Sequence, residues 1–144
     1  MDKIKQLINT DQLNTSYLST LGPQSKLFFH FDESSDILML LFVPPEKETI
    51  VHYLDRYVAI LYTPENNEIV GIQIEDFQSD FVPMYSDLQK AWCLSNFVVD
   101  DENIWDLTIE IEERKHVVAL EVIKAKQSII GKPAEEFERV LEYA

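Results

Sequence analysis

The residues able to do chemistry in this 144-residue chain are three histidines, one cysteine and several neighbouring acids. A metal site could be assembled from His30, Asp32 and Asp36, or from His52 and Asp55. Neither set has the spacing of a motif such as His-x-x-x-His, and zinc sites need three or four converging ligands. We therefore predict that these histidines lie in half-exposed strands and hold no metal.

Cys93 is a candidate nucleophile only where the fold brings a histidine and an orienting group to its sulfur. It follows Trp92 on a predicted helix, where a buried and unreactive thiol is the better interpretation. His116 falls in a predicted strand and belongs to no metal-binding motif. Because Cys93 is the single cysteine, an intrachain disulfide is excluded.

Adjacent acids could supply a general acid and a general base, and they occur at Glu75-Asp76 and Asp100-Asp101-Glu102. Both groups stand at predicted loop or strand ends, without the apolar surroundings that raise a carboxyl pKa. The chain has no nucleophile-elbow, P-loop or dinucleotide-binding motif. We predict no catalytic residue and no cofactor, so an enzyme is the weakest class; a small-ligand-binding protein or a new kind of enzyme stays as an alternative.

The chain is strongly acidic, with 26 acidic and 12 basic residues and a net charge of −14. This balance argues against direct binding to nucleic acid or an anionic membrane, since both need clustered lysine and arginine. It leaves an alternative function, an acidic decoy that binds a basic, nucleic-acid-binding protein. The polar first residues and the absence of a long apolar stretch predict a cytoplasmic protein.

The elements that must position these residues predict an α+β fold in one domain, residues 1–144. Residues 1–22 show helical spacing in two segments, the second of which carries Leu13, Tyr17 and Leu21 on one face. Two more helices are predicted at 84–95 and 133–144. The first has the apolar stripe Met84, Leu88, Ala91 and Trp92, and the second begins at Pro133 and has the stripe Phe137, Val140, Leu141 and Ala144.

Three stretches between these helices are predicted to form β-hairpins. The first spans 27–43 around the turn 32–36, the second spans 57–74, and the third spans 104–125 around Glu113-Arg114-Lys115. A strand at 50–54 is expected to join the second hairpin. Together they predict an antiparallel sheet of roughly five to seven strands with the helices packed on it. When residues 57–77 are aligned with residues 105–125, apolar positions of one segment match apolar positions of the other. Whether the two segments arose by internal duplication is left open.

Two motifs resemble a known family: "FDESSDILMLLF", residues 31–42, and "LYTPENNEIVGIQI", residues 61–74. They are similar to the small bacterial YuzE-like proteins over about residues 28–77. The matching positions are Asp32, Glu33, Asp36 and Leu38 in the first motif and Val70, Gly71, Ile72 and Ile74 in the second. The function of that family is unknown, so the resemblance implies a β-meander and no catalytic residue.

The strand after the first turn is apolar on both of its faces, and this points to a contact surface. Leu38, Leu40 and Phe42 form the expected core face, and the opposite face carries Ile37, Met39, Leu41 and Val43. The YuzE-like family usually has an aromatic residue in place of Met39 and a polar one in place of Leu41. Either the N-terminal helices or a second subunit must cover this face. Leaving the four side chains exposed to water would forfeit several kcal/mol of folding free energy, at ~1.5–3 kcal/mol per side chain. We predict a non-catalytic interaction or assembly protein that forms a homodimer through these four residues.

Overall fold

The computed structural model describes residues 12–22, 25–95 and 104–142. In these residues five strands form one antiparallel sheet with helices packed on it, which confirms the predicted α+β class. The strands are β1 (Phe28–Asp32), β2 (Ile37–Leu41), β3 (Ile50–Tyr53), β4 (Val58–Tyr62) and β5 (Ile69–Ile74). The helices are α1 (Ser16–Ser19), α2 (Ser86–Ser95), α3 (Ile104–Ala125), α4 (Gln127–Ile130) and α5 (Pro133–Glu142).

The sheet has the strand order β1-β2-β5-β4-β3, and every neighbouring pair is antiparallel. Strands β3, β4 and β5 form a meander, and the β1–β2 hairpin joins it through the pairing of β2 with β5. The predicted strand at 50–54 is β3, and it pairs with β4. The edges of the sheet are therefore β1 and β3.

One face of the sheet packs against the helices and forms the main core. Leu38 and Leu40 of β2, Ile60 of β4, and Ile72 and Ile74 of β5 point into this layer and are almost completely buried. The helices contribute Leu88, Val118, Val122, Phe137 and Leu141. Burying one such large side chain contributes ~1.5–3 kcal/mol, so this layer supplies most of the folding free energy.

Residues 104–125, predicted to be a third hairpin, form the single helix α3. The core of the sheet contacts Val118, Ala119, Val122 and Ile123, whose spacing is that of one helical face. Glu113-Arg114-Lys115, the predicted turn, contains good helix formers and no glycine, proline or asparagine, so the helix runs through it. The possible duplication of 57–77 in 105–125 gains no support from the structure, because the first segment is mainly two strands and the second is a helix.

The predicted N-terminal helix is reduced to a single turn in the residues that the structure describes. Residues 1–11 lie outside them, and α1 begins only at Ser16. The backbone of Asn14 is occupied by β-type bonds, since its N–H donates to Asn67 O at 2.8 Å and its carbonyl accepts from Ile69 N at 2.9 Å. These bonds hold the backbone extended at Asn14, so the helix can begin only after this residue.

Helix α5 ties this N-terminal segment to the core. It begins at Pro133 as predicted, and its Phe137, Val140 and Leu141 are buried. The Arg139 guanidinium donates to the carbonyl oxygens of Leu18 and Leu21, both at 2.8 Å, and so links α5 to α1 and to the residues that follow it. Residues 143 and 144, at the end of the predicted helix, lie outside the described part.

Helix α2 follows a short helical turn, Val82–Met84, and buries Leu88, Ala91 and Trp92 of its predicted stripe. Met84 was expected in that stripe, but it is 48% exposed because it lies in the preceding turn rather than on α2. None of the helices in the described residues is both long and apolar enough to cross a membrane.

Candidate functional site

The sheet carries a second apolar face, opposite the helical layer. The strand registers align Phe28, Leu41, Gly71, Leu61 and Val51 in one row across all five strands. At the centre of this face, Leu41, Val43, Leu61 and Val70 form a buried cluster of their own. The prediction that β2 is apolar on both faces therefore corresponds to two separate hydrophobic layers, one on each side of the sheet.

Gly71 lies in the middle of this row and permits a close backbone approach. The register of β4 and β5 shifts at Leu61 and Tyr62, next to Gly71. A Cβ added to Gly71 would lie 2.3 Å from the Leu40 carbonyl oxygen, closer than any real contact. The absence of a Cβ at Gly71 is therefore what lets β2 and β5 pair this closely.

Among the residues that the structure describes, Tyr17 packs on this second cluster from outside the sheet. Its hydroxyl donates to Phe42 O at 2.9 Å, and its backbone N–H donates to Glu68 Oε1 at 2.8 Å. The N-terminal segment thus covers the centre of the second face, which is one of the two covers that the sequence left open. Leu41 and Val43 are only 4% and 6% exposed in the monomer, whereas Ile37 and Met39 are half-buried. Of the four predicted interface residues, these last two are the accessible ones, and the interface itself stays a prediction.

The edge strand β3 carries a group of accessible apolar side chains. Ile50 and Val51 are each 38% exposed, and Tyr53 is 55% exposed. Val51 and Tyr53 lie on the second face, in register with Leu61 and Ala59 of β4. The sequence analysis placed this strand in the sheet but did not recognise it as an edge, because strand order cannot be read from local patterns.

The backbone of β3 also presents hydrogen-bonding groups outward. Leu54 N–H donates to Val58 O at 2.8 Å, so Leu54 points its backbone groups toward β4. In an antiparallel strand these groups alternate in direction, so His52 and Ile50 also bond toward β4. The N–H and C=O groups of Val51 and Tyr53 therefore face away from the sheet, on the same residues whose side chains are exposed.

At the other edge strand, β1, two lysines from outside the strand lie over its aromatic rings. The Lys26 ammonium lies 5.0 Å from the centre of the Phe28 ring, and the Lys115 ammonium lies 5.7 Å from that of Phe29. Natural sheets use lysine in this way to discourage edge-to-edge association. Strand β3, Ile50-Val51-His52-Tyr53, contains no lysine, proline or glycine.

A small polar network lies beside β3 on the second face. The Tyr53 hydroxyl donates to Glu75 Oε2, which also accepts from Gln73 Nε2 at 3.4 Å. The hydrogen bond to the Glu75 carboxylate raises the pKa of Tyr53 above its usual value of 10.0. The Glu75 carboxylate thereby orients the exposed ring of Tyr53.

The carboxylates of the two candidate metal sites are engaged elsewhere. The Asp36 carboxylate accepts from the backbone N–H groups of Gln78 and Ser79 at 2.7 and 3.0 Å, which fixes the helical turn that follows β5. Asp55 binds the Lys126 ammonium. Among the residues that the structure describes, no three His, Cys, Asp or Glu side chains converge on one point. His116 lies on α3, not in a strand as predicted, and Asp100-Asp101-Glu102 falls outside the described residues.

The Asp55–Lys126 ion pair joins the β3–β4 turn to the end of α3. Lys126 Nζ lies 3.0 Å from Asp55 Oδ2 and 5.8 and 5.9 Å from the ring centres of Tyr57 and Phe81. Burial alone would raise the pKa of Asp55, but bonds from the Val58 and Tyr57 amides and from Lys126 lower it below 3.8. Burial likewise opposes the Lys126 ammonium, but Asp55 raises the pKa of that group above 10.5.

An open depression of about 510 Å³ lies at one end of the second face, lined in part by Tyr17, Lys47, Glu65 and Glu68. Glu68 already accepts from the Tyr17 amide, and one ammonium beside two carboxylates selects neither an anion nor a cation. No feature of this depression assigns a ligand. The accessible apolar groups of the second face and of β3 are therefore the better candidate for function.

Comparison with known protein families, with curated proteins and with solved structures finds no match to the chain. The resemblance of residues 28–77 to YuzE-like proteins therefore stays a prediction.

Proposed function

We propose that the protein is a non-catalytic interaction module that acts as a homodimer. The observation that carries this proposal is the apolar second face. Its centre is closed by Tyr17, but Val51 and Tyr53 on one flank are exposed and Met39 on the other is half-buried. A second copy of the chain supplies the same groups, and self-complementary contact of two identical surfaces is the commonest way to bury them.

The charge of the chain sets the conditions under which this contact forms. Each copy carries a net charge of −14, so two copies repel at low salt. At physiological ionic strength charges more than ~8 Å apart are largely screened. We therefore expect association to strengthen, not weaken, as salt is raised. An acidic decoy bound to a basic protein would show the opposite dependence.

Sedimentation equilibrium of the whole chain tests the proposal, over concentrations from low micromolar to near millimolar and at low and physiological salt. The expected result is a mass that rises from that of one chain, 16.8 kDa, to twice that value, with the tighter association at the higher salt. A single-chain mass at every concentration and both salts would refute it.

A further inference from the structure

We infer that the homodimer forms edge to edge, with β3 of one chain pairing antiparallel to β3 of a second copy, so that two five-stranded sheets become one. This inference rests on the proposed function and places the contact at one flank of the second face, the β3 strand that carries Val51 and Tyr53, rather than at Met39. Three features of β3 support it: its outward backbone groups, its side-chain pairing across a two-fold axis, and the charges at its ends.

The outward backbone groups supply the bonds. Because Val51 and Tyr53 point their N–H and C=O groups away from β4, each is ready to exchange a pair of hydrogen bonds with a facing strand. A two-fold axis at His52 sets Val51 opposite Tyr53 of the second copy, and the reverse. Both residues then make hydrogen-bonded pairs, and the two His52 residues meet as a non-hydrogen-bonded pair.

The same register joins complementary side chains. On the second face it places Val51 beside Tyr53 of the other copy, and β-branched residues paired with aromatic ones stabilise antiparallel strands. Glu48 and Arg56 lie four residues before and after His52, so the axis brings Glu48 of one copy toward Arg56 of the other. Arg56 Nη2 lies 3.4 Å from Asp80 Oδ2 in the monomer, but its side chain is 71% exposed, so in the dimer it would exchange or share that partner. Both contacts occur twice in the dimer.

The size of the contact predicts its strength. An edge of four residues buries less than the roughly 800 Å² per partner of a standard interface, so we expect a dimer that dissociates on dilution. A two-fold contact uses the β3 edge of both copies, and the lysines near β1 disfavour a second contact at the other edge. The assembly therefore stops at two chains and does not extend into a fibre.

Disulfide trapping tests the register. All variants carry Cys93→Ser, so that the introduced thiol is the only one. A non-hydrogen-bonded antiparallel pair holds its Cα atoms ~4.5 Å apart, within the range that a disulfide spans. We expect His52→Cys to yield a covalent dimer on mild oxidation, seen on a non-reducing gel. The matched control His30→Cys, an exposed histidine on the other edge strand, should stay monomeric at the same concentration.

A second variant tests the backbone bonds. Proline is tolerated on an edge strand where the N–H faces solvent, so Val51→Pro should keep the fold, checked by circular dichroism, and weaken the dimer about tenfold or more. If Val51→Pro unfolds, the edge-to-edge contact is tested by the disulfide trapping of His52→Cys alone. A dimer in sedimentation that His52→Cys does not trap above the His30→Cys control overturns the edge contact but leaves the proposed homodimer standing. A chain that stays monomeric overturns both, and β3 would then be open only to a different protein.

Discussion

Replacing Asp55 with asparagine should destabilise the fold by removing one ion pair while keeping its neighbouring hydrogen bonds. Asp55 uses Oδ1 to accept from the backbone N–H groups of Tyr57 and Val58, at 2.9 and 2.8 Å, and an asparagine side chain retains that acceptor. Its other oxygen binds Lys126 at 3.0 Å, and there asparagine would present an amide donor to an ammonium. The substitution therefore isolates the ionic contact between the β3–β4 turn and the end of α3.

The magnitude follows from how far the pair is shielded from water. The side chains of Lys126 and Asp55 are 15% and 26% exposed, so the pair is neither a surface pair, worth about 0–1 kcal/mol, nor fully buried, where loss of one partner costs about 3–5 kcal/mol. We expect Asp55→Asn to lower the free energy of unfolding by about 1–2 kcal/mol. Lys126→Met, which keeps the apolar stem beside Tyr57 and Phe81, should cost a similar amount.

Urea denaturation followed by circular dichroism measures both losses, and the double variant measures their coupling. If the two residues act through each other, the double variant should be less destabilised than the sum of the single variants by about 1 kcal/mol. Strictly additive losses would refute the assignment of the stabilisation to this pair.

The pH dependence supplies a second check of the same pair. The pKa of Asp55 is lowered on folding, so its contribution is complete above its unfolded value of 3.8 and is lost as pH falls through the still lower folded value. The pKa of Lys126 is raised on folding, so its contribution is complete below 10.5 and is lost as pH rises through the higher folded value. The difference between wild type and Asp55→Asn should be constant near neutral pH and shrink in acid below about 3.8. A difference that grows in acid would contradict the assigned direction.

Three further variants test other parts of the fold by the same denaturation assay. Gly71→Ala should destabilise by several kcal/mol or abolish folding, because its Cβ would lie 2.3 Å from the Leu40 carbonyl oxygen; wild-type stability would show that β5 can shift. Leu41→Glu should unfold the chain, because Leu41 is only 4% exposed, whereas Met39→Glu should stay folded, because Met39 is half-buried; a folded Leu41→Glu variant would show that Leu41 lies on the surface. Arg139→Met should cost about 1–3 kcal/mol by leaving two carbonyl oxygens of the α1 segment without their charged donor, and an unchanged unfolding midpoint would show that those oxygens find water.

The sheet was predictable where local patterns decide the structure. Turn formers at 32–36 and the alternation of Val70, Ile72 and Ile74 with smaller or polar residues identify strands, and Pro133 identifies the start of α5. Residues 104–125 were mispredicted because short alternating stretches occur by chance on a helix. The decisive signal lay later in the segment, where Val118, Ala119, Val122 and Ile123 share one helical face.

The candidate contact surface was only half predictable. Two apolar faces on β2 are visible in the sequence, but whether Leu41 and Val43 are covered depends on Tyr17, which lies far away in the chain. The exposed edge at β3 depends on the pairing of β2 with β5, a long-range choice that no local pattern encodes. The apolar surface on β2 could therefore be predicted from the sequence, but the burial of Leu41 and Val43 and the exposure of β3 could not.

The strand order also dictates when this sheet can form during synthesis. Strand β5 is the middle strand of the sheet and the last of the five to leave the ribosome. Until it emerges, the β1–β2 hairpin has no neighbour, and the inner edge of β2 is open to other nascent chains. Folding must wait for a contact between distant parts of the chain, which slows it and lengthens that exposure. Pausing of translation before β5 has emerged from the ribosome should therefore increase aggregation more than pausing after it has emerged.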